Sequence, residues 1–403
     1  MQLEQLPVNE MNCRIEKCRA LMRRFAPDAG GMLLCSRVSI YYLAGTMAWG
    51  TLWVPMDGEP VLMVRKGLGR ARDESPVRHI LPYRSYRDIP ALCADAGSPL
   101  TPVAAVDKNA FTWTMYDMLT GKLPGVHFVG CDAVLDRAKA CKTEWELNKM
   151  RAAGNGLRRT LDELLPARIH VGMSELDIAR TFLDASWECG NSGILRMNAH
   201  GEESYMGCAC VGDSANYPTY YNGPMGFWGP HPAVPCMGSP RRIWERNTLL
   251  ATDLSFSFEG YHADRTQMYW CGGPIPDSIA DPQKVCGDIL LAVQEKLRPG
   301  AKPAELWQLS CAMAEKAGYA DLFMGSGPDR VKFLGHGVGL TLDGFPAFAR
   351  GFEEPLQEGM CVAIEPKIAI PGVGMAGVEH TFEVTAQGGR SLNGTETRII
   401  IVE

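Results

Sequence analysis

Five ionisable side chains, each set inside an apolar or glycine-rich stretch, constrain this chain more than any other feature. Leu249-Leu250-Ala251-Thr252-Asp253 is an apolar strand that ends in an aspartate. After a glycine-containing turn, Gly260-Tyr261-His262-Ala263-Asp264 returns to a second aspartate eleven residues beyond the first. Downstream follow Gly335-His336-Gly337-Val338-Gly339, Ala363-Ile364-Glu365-Pro366 and Gly377-Val378-Glu379-His380-Thr381. A charge in such surroundings is costly unless a partner or a metal compensates it. A hairpin can set Asp253 and Asp264 on one wall of a cleft, and the other three groups can join them there. Four carboxylates brought together repel strongly. Two divalent cations, aided by one neutral imidazole, supply the missing positive charge. Hard oxygen donors with a single histidine suit manganese first, with iron, cobalt or zinc as alternatives.

At 403 residues the chain exceeds the usual size of one core, so two domains are expected. Short apolar runs at residues 31–34, 51–54, 60–64 and 102–106, separated by helical material, predict a small α/β domain with a mixed sheet over residues 1–135. A second unit over 140–403 opens with Thr143-Glu144-Trp145-Glu146, a capping box, and Ser174-Glu175-Leu176-Asp177 repeats the device. Further helices are predicted over 283–297 and after Pro303. Long helices alternating with separate strand pairs imply an α+β architecture. Forty Lys and Arg against forty-six Asp and Glu give a net charge of -6, which argues against nucleic acid as a partner. No apolar run approaches the length of a membrane span. The amino terminus is polar and acidic where a secretory signal needs a basic and then an apolar stretch, so a cytoplasmic location is expected. The fourteen scattered cysteines read as mostly free thiols, Cys208 and Cys210 forming the one close pair.

The five groups, in this order, resemble the superfamily of methionine aminopeptidase, Xaa-Pro aminopeptidase, prolidase and creatinase, the M24 metallopeptidases with the pita-bread fold. That pattern is an aspartate, an aspartate eleven residues later, a histidine in GHG(V/I)G, a glutamate in (I/V)EP, and a final glutamate before a Thr-containing strand. Ser39-Ile40-Tyr41-Tyr42-Leu43-Ala44-Gly45 also resembles the (I/R)YLTG stretch of the creatinase-type amino-terminal domain. The resemblance implies a small creatinase-like α/β domain followed by a pita-bread catalytic domain. It implies that Asp253, Asp264, His336, Glu365 and Glu379 bind two metal ions, with Asp264 and Glu379 bridging and His336 the sole nitrogen ligand. It further implies metal-assisted hydrolysis in which Glu365 shuttles the proton of the attacking water, and a homodimer.

Two departures stand out. Peptidase members carry a second histidine seven residues after the ligand histidine, where this chain has Asp343, a group suited to attracting a cationic substrate. They also carry a histidine about seventeen residues before the first aspartate. Here the Tyr217-Pro218-Thr219 stretch has threonine after its proline, thirty-four residues before Asp253, and His231 lies twenty-two residues before Asp253 as a candidate to enter the pocket. The aromatic stretch Tyr220-Tyr221 to Phe227-Trp228 is a candidate pocket wall. His262 and His380 neighbour ligand positions on strands and are expected to face away; His200 is left unassigned. The expected function is an Xaa-Pro dipeptidase or aminopeptidase acting on small peptides. The altered Asp343 segment keeps open a small-molecule enzyme for a zwitterionic substrate, either a creatinase-like C–N hydrolase or a dimethylsulfoniopropionate-lyase-like enzyme. A non-catalytic binding protein is the third alternative.

Overall fold

Gly31–Leu34 (β1), buried at all four positions, lies inside the first sheet, where its apolar side chains have neighbours on both sides. The computed structural model describes residues 4–198 and 205–403; His200 lies outside the described residues. The chain divides into two units, Met1–Lys139 and Ala140–Glu403. The first carries β1, Trp49–Pro55 (β2), Val61–Lys66 (β3), His79–Pro82 (β4), Val103–Val106 (β5) and His127–Gly130 (β6) in the order β4-β3-β2-β1-β5-β6. The pairs β1–β2 and β2–β3 are antiparallel and the other three parallel, so the sheet is mixed. Leu33, Trp53, Val61, Met63, Ala104 and Val106 form its core face. Strands β4 and β6 are short segments, His-Ile-Leu-Pro and His-Phe-Val-Gly, too brief to stand out as apolar runs. Asp107 follows β5 and accepts the amides of Cys35 and Ser36 (3.0 and 2.9 Å), just ahead of the helix Arg37–Ala44.

In the second unit both capping boxes form. Thr143 and Glu146 cap the helix Glu144–Arg159, and Ser174 and Asp177 cap Glu175–Glu188. The next helix runs Asp277–Lys296, starting six residues before the expected 283. Pro282 lies within the second turn of this helix, which the chain enters at Pro276. The last long helix, Pro303–Lys316, begins on the proline itself, one residue before the expected start, with the proline in the first turn where its missing N–H costs nothing.

Among the described residues three sheets complete this unit. Phe333–Gly337 (β10), Gly344–Ala349 (β11), Cys361–Ile364 (β12), His380–Thr385 (β15) and Gly388–Ser391 (β16) make one, in the order β11-β10-β12-β15-β16. Gly207–Val211 (β7), Leu250–Phe258 (β8), Tyr261–Trp270 (β9) and Ile400–Ile401 (β17) make the second, in the order β17-β9-β8-β7. Lys367–Ile370 (β13) and Gly374–Gly377 (β14) form a ribbon. Ile289, Val293 and Leu306 share a core with Val362, Ile364 and Phe382 of the first sheet. Leu157, Ile178 and Phe182 do the same for Leu250, Leu254 and Phe256 of the second. Each such fully buried side chain contributes about 1.5–3 kcal/mol. Two helix-backed sheets thus leave their other faces to line a cleft, an α+β arrangement. Among the described residues no helix is long and apolar enough to cross a membrane.

Candidate metal centre

Two of the carboxylates come from one hairpin. β8 and β9 pair antiparallel with Asp253 opposite Thr266 and Ser255 opposite Asp264, which puts all four on one face. The connecting turn is Glu259-Gly260, with φ of 49° and 85°, a two-residue loop whose twist matches that of the flanking strands. Thr381 Oγ1 accepts the Asp264 amide and donates to the Asp264 carbonyl, both at 2.9 Å, which ties the hairpin to β15.

The glutamates sit where the chain crosses from one sheet to another. Glu365 lies between β12 and β13, and Glu379 between β14 and β15. Ile364 is opposite His380 in the large sheet, and Lys367 is opposite Gly377 in the ribbon, so both glutamates occupy the same junction. His336 lies in β10 between two glycines. A Cβ at residue 335 would lie 2.0 Å from the Ala363 carbonyl oxygen, and one at residue 337 would lie 2.1 Å from that of Phe345. Glycine therefore lets the neighbouring strands close on both sides of the histidine.

All five groups line one cavity of about 410 Å³. His336 Nε2 is 3.9 Å from Asp264 Oδ2 and 3.9 Å from Glu365 Oε1. Ligand atoms of Asp264, His336 and Glu379 lie within 4.8 Å of one another, as do those of Asp253, Glu365 and Glu379. Thr266 Oγ1 donates to Glu379 Oε2 at 2.8 Å.

A sixth charged residue, absent from the sequence-based set, occupies this centre. The Lys367 ammonium is fully buried and lies 2.7 Å from Glu365 Oε2, 3.1 Å from Asp253 Oδ2 and 3.3 Å from Glu379 Oε2. Its sequence carries a signal: a lysine directly after Glu365-Pro366 and directly before Ile368-Ala369-Ile370 is as costly to bury as the four carboxylates and the histidine. Burial alone would strip its proton, but Asp253, Glu365 and Glu379 together hold its pKa well above the ordinary value. Burial pushes Glu365 up to about 7 and Glu379 up to about 8, with Lys367 opposing the rise and Asp253 adding to it. Asp264 is driven well above the carboxylate range by burial and then by its acidic neighbours. The centre is thus short of positive charge even with the lysine present.

The donors fit a divalent ion unequally. Asp264, His336 and Glu379 offer two carboxylates and an imidazole at one place, a hard set with one nitrogen. Asp253, Glu365 and Glu379 converge as well, but on a position that the lysine ammonium already bridges.

The remaining candidates separate clearly. Asp343 lines the cavity, and its Oδ1 accepts the amide of Asn198 at 2.6 Å, so it anchors a neighbouring segment and not its own turn. His231, expected to enter the pocket, is exposed and does not line the cavity. Its Nδ1 accepts the Ala233 amide at 3.0 Å within a local turn, an arrangement the flanking prolines Pro230 and Pro232 favour. Tyr221, Met225 and Phe227 of the aromatic stretch do wall the cavity, whereas Trp228 stacks on Tyr217 with ring centroids 3.7 Å apart. His262 and His380 are buried and bonded away from the cavity, to the Gly339 carbonyl and to Asn393 and the Glu396 carbonyl. Burial lowers the pKa of each to about 4. All fourteen cysteines are free thiols.

Comparison with known proteins agrees with this geometry. Residues 148–386 match "Metallopeptidase family M24" and residues 14–141 match "Creatinase/Prolidase N-terminal domain". An Xaa-Pro dipeptidase from Pyrococcus furiosus is 23% identical over 97% of this chain and 100% of its own length. One from Lactobacillus helveticus is 25% identical over 74% of this chain and 72% of its own length. The solved Xaa-Pro dipeptidase of Bacillus anthracis superposes with a TM-score of 0.80 at 18% identity, over 97% of this chain and 99% of that one. An amino-terminal creatinase-like domain therefore precedes a pita-bread catalytic domain, a divalent metal is implied by the family, and the chain belongs to metallopeptidase family M24.

Proposed function

We propose that this protein is a metal-dependent dipeptidase that hydrolyses Xaa-Pro dipeptides, with manganese as its metal, acting as a homodimer in the cytoplasm. One observation carries the reading. A convergent set of four carboxylates and one imidazole lies in a 410 Å³ cavity, a volume suited to a small ligand. The relatives named above are Xaa-Pro dipeptidases, which favours this reading over a C–N hydrolase, a lyase or a binding protein.

A bound divalent ion supplies Lewis acidity toward the scissile carbonyl and toward water. The chain's own groups do the rest. Asp264, His336 and Glu379 hold the ion, and Thr266 orients Glu379 by its 2.8 Å hydrogen bond. Glu365 takes the proton of the attacking water and returns it to the leaving proline nitrogen. A carboxylate at this place can both accept a proton from water and return it to the leaving nitrogen. Lys367 holds Oε2 of that carboxylate, which leaves Oε1 on the His336 side. Asp343 on the cavity wall draws the cationic amino group of the dipeptide. Tyr221, Met225 and Phe227 exclude water from the reacting bond and give the pyrrolidine ring an apolar surface.

The test is a panel of Xaa-Pro dipeptides, Xaa-Ala dipeptides, longer peptides and small zwitterionic metabolites, assayed with manganese and after chelation. Metal-dependent cleavage confined to Xaa-Pro dipeptides is expected. Turnover of a zwitterionic metabolite with every peptide untouched would replace this reading. Sedimentation should return twice the 44.1 kDa chain mass.

A further inference from the structure

We propose that the Lys367 ammonium is the resident cation of the Asp253–Glu365–Glu379 pocket, so that the centre takes one divalent ion, at Asp264, His336 and Glu379, in place of the two expected from the sequence. This rests on the metal-centre reading above. Two triads of ligand atoms share Glu379. Only the first is open to an incoming ion. In the second, Nζ makes a charge-assisted hydrogen bond to Glu365 at 2.7 Å and longer ion-pair contacts to Asp253 and Glu379 at 3.1 and 3.3 Å. A divalent ion bound by those oxygens would need them at about 2.0–2.2 Å. Ion and ammonium would then compete for the same lone pairs and repel each other at close range.

Three features make the lysine a built part of the site. It is the second residue past Glu365, so its backbone is fixed by the same crossing that positions the glutamate. Within β13 it pairs with Gly377 of β14. Its side chain runs over that glycine: a Cβ at residue 377 would lie 2.6 Å from Lys367 Cγ and 3.2 Å from its Cβ. The absent side chain is therefore the groove in which the lysine stem lies. Finally, Lys367 is 0% exposed, so its ammonium has no water to retreat to in the present packing and is satisfied by the three carboxylates alone.

The charges support the same count. Four carboxylates carry four negative charges when ionised; a lysine and one divalent ion supply three positive charges. A lysine and two divalent ions would supply five, one more than the four carboxylates of the centre carry, with Asp343 the further acid among the described residues of the cavity wall.

The test is the number of ions held by the full-length protein, counted by elemental analysis after manganese saturation and removal of free ion. Wild type should hold one per chain, and Lys367→Met, which keeps the stem and removes the charge, should hold two. Anomalous diffraction from manganese-soaked wild-type crystals should give a single peak beside His336 and none against Nζ of Lys367. Two ions in wild type would overturn the proposal, as would one ion in folded K367M. If K367M does not fold, the wild-type count and anomalous map decide alone. The count needs no substrate, so a failure of the dipeptidase reading leaves it standing. Two ions in a wild-type enzyme that cleaves Xaa-Pro dipeptides would remove the lysine proposal and leave the function.

Discussion

Lys367 and Glu365 are two residues apart on one chain, yet their side chains meet at 2.7 Å because Pro366 separates the end of one sheet from the start of the next. The glutamate directly follows β12 and the lysine opens β13, so an acid and its counter-ion meet where the chain passes from one sheet to the next.

Replacing Gly377 tests the groove under the lysine. Gly377→Ala introduces a Cβ 2.6 Å from Lys367 Cγ, an overpacking expected to cost about 1–3 kcal/mol. In a Lys367→Ala background most of that cost should vanish. A double-mutant cycle by denaturant unfolding measures the difference, and additive effects would show that the two residues do not interact.

Among the described residues His336 is the only nitrogen donor of the two ligand triads. His336→Ala should lower affinity for the divalent ion by at least about tenfold and remove most activity, since even residues that merely support a ligand are worth 10–100-fold. Calorimetric titration of manganese checks it. An unchanged binding isotherm would place the ion elsewhere.

Asp343→Asn keeps an oxygen to accept the Asn198 amide, so the wall should hold its shape. Loss of the charge should leave the bound ion in place and weaken selection for a free amino terminus by about 1–3 kcal/mol. The readout is kcat/KM for dipeptides with free and acetylated amino termini. Equal ratios in wild type and variant would make Asp343 a purely structural anchor.

The amino-terminal unit carries its own pH signature. Burial raises the Asp107 pKa from 3.8 to about 6. The folded state therefore holds a proton that the unfolded chain has released between those values, and stability rises as pH falls through 6. Acidification from pH 7 to pH 5 should recover about 1 kcal/mol from this group. In Asp107→Asn that increment should be absent. Unfolding curves for the amino-terminal transition at the two pH values, for both proteins, measure it; an identical pH response would assign the effect to another group.

Local chemistry made much of this protein legible before any coordinates. The Thr143 and Ser174 capping boxes form as written, because the bonds involved span three residues. The Asp253 and Asp264 hairpin also follows from local pattern, an apolar strand, a Glu-Gly turn and a return strand. The start of the helix Asp277–Lys296 was less legible, since Pro282 carries a boundary signal that its position in the second turn overrides. Strands β4 and β6 owe their pairing to neighbours that lie far along the chain.

At the centre the division is sharper. Sequence reading identified five buried charges as needing compensation, because the cost of burying a charge depends on its immediate surroundings. The family resemblance singles out Asp343 as standing where peptidase members carry a histidine, and the residue lines the cavity. Sequence reading did not identify the partner. Lys367 carries the same local signal, but its role depends on register: Lys367 opposite Gly377 and Ile364 opposite His380 bring residues 253, 365, 367 and 379 to one point. His231 shows the converse, a well-spaced histidine that the folding of its loop leaves in solvent. Which charges must be neutralised is a local property of the chain; which cation neutralises them is set by long-range strand pairing, because a contact of about 3 Å cannot be inferred from spacing until the register is known.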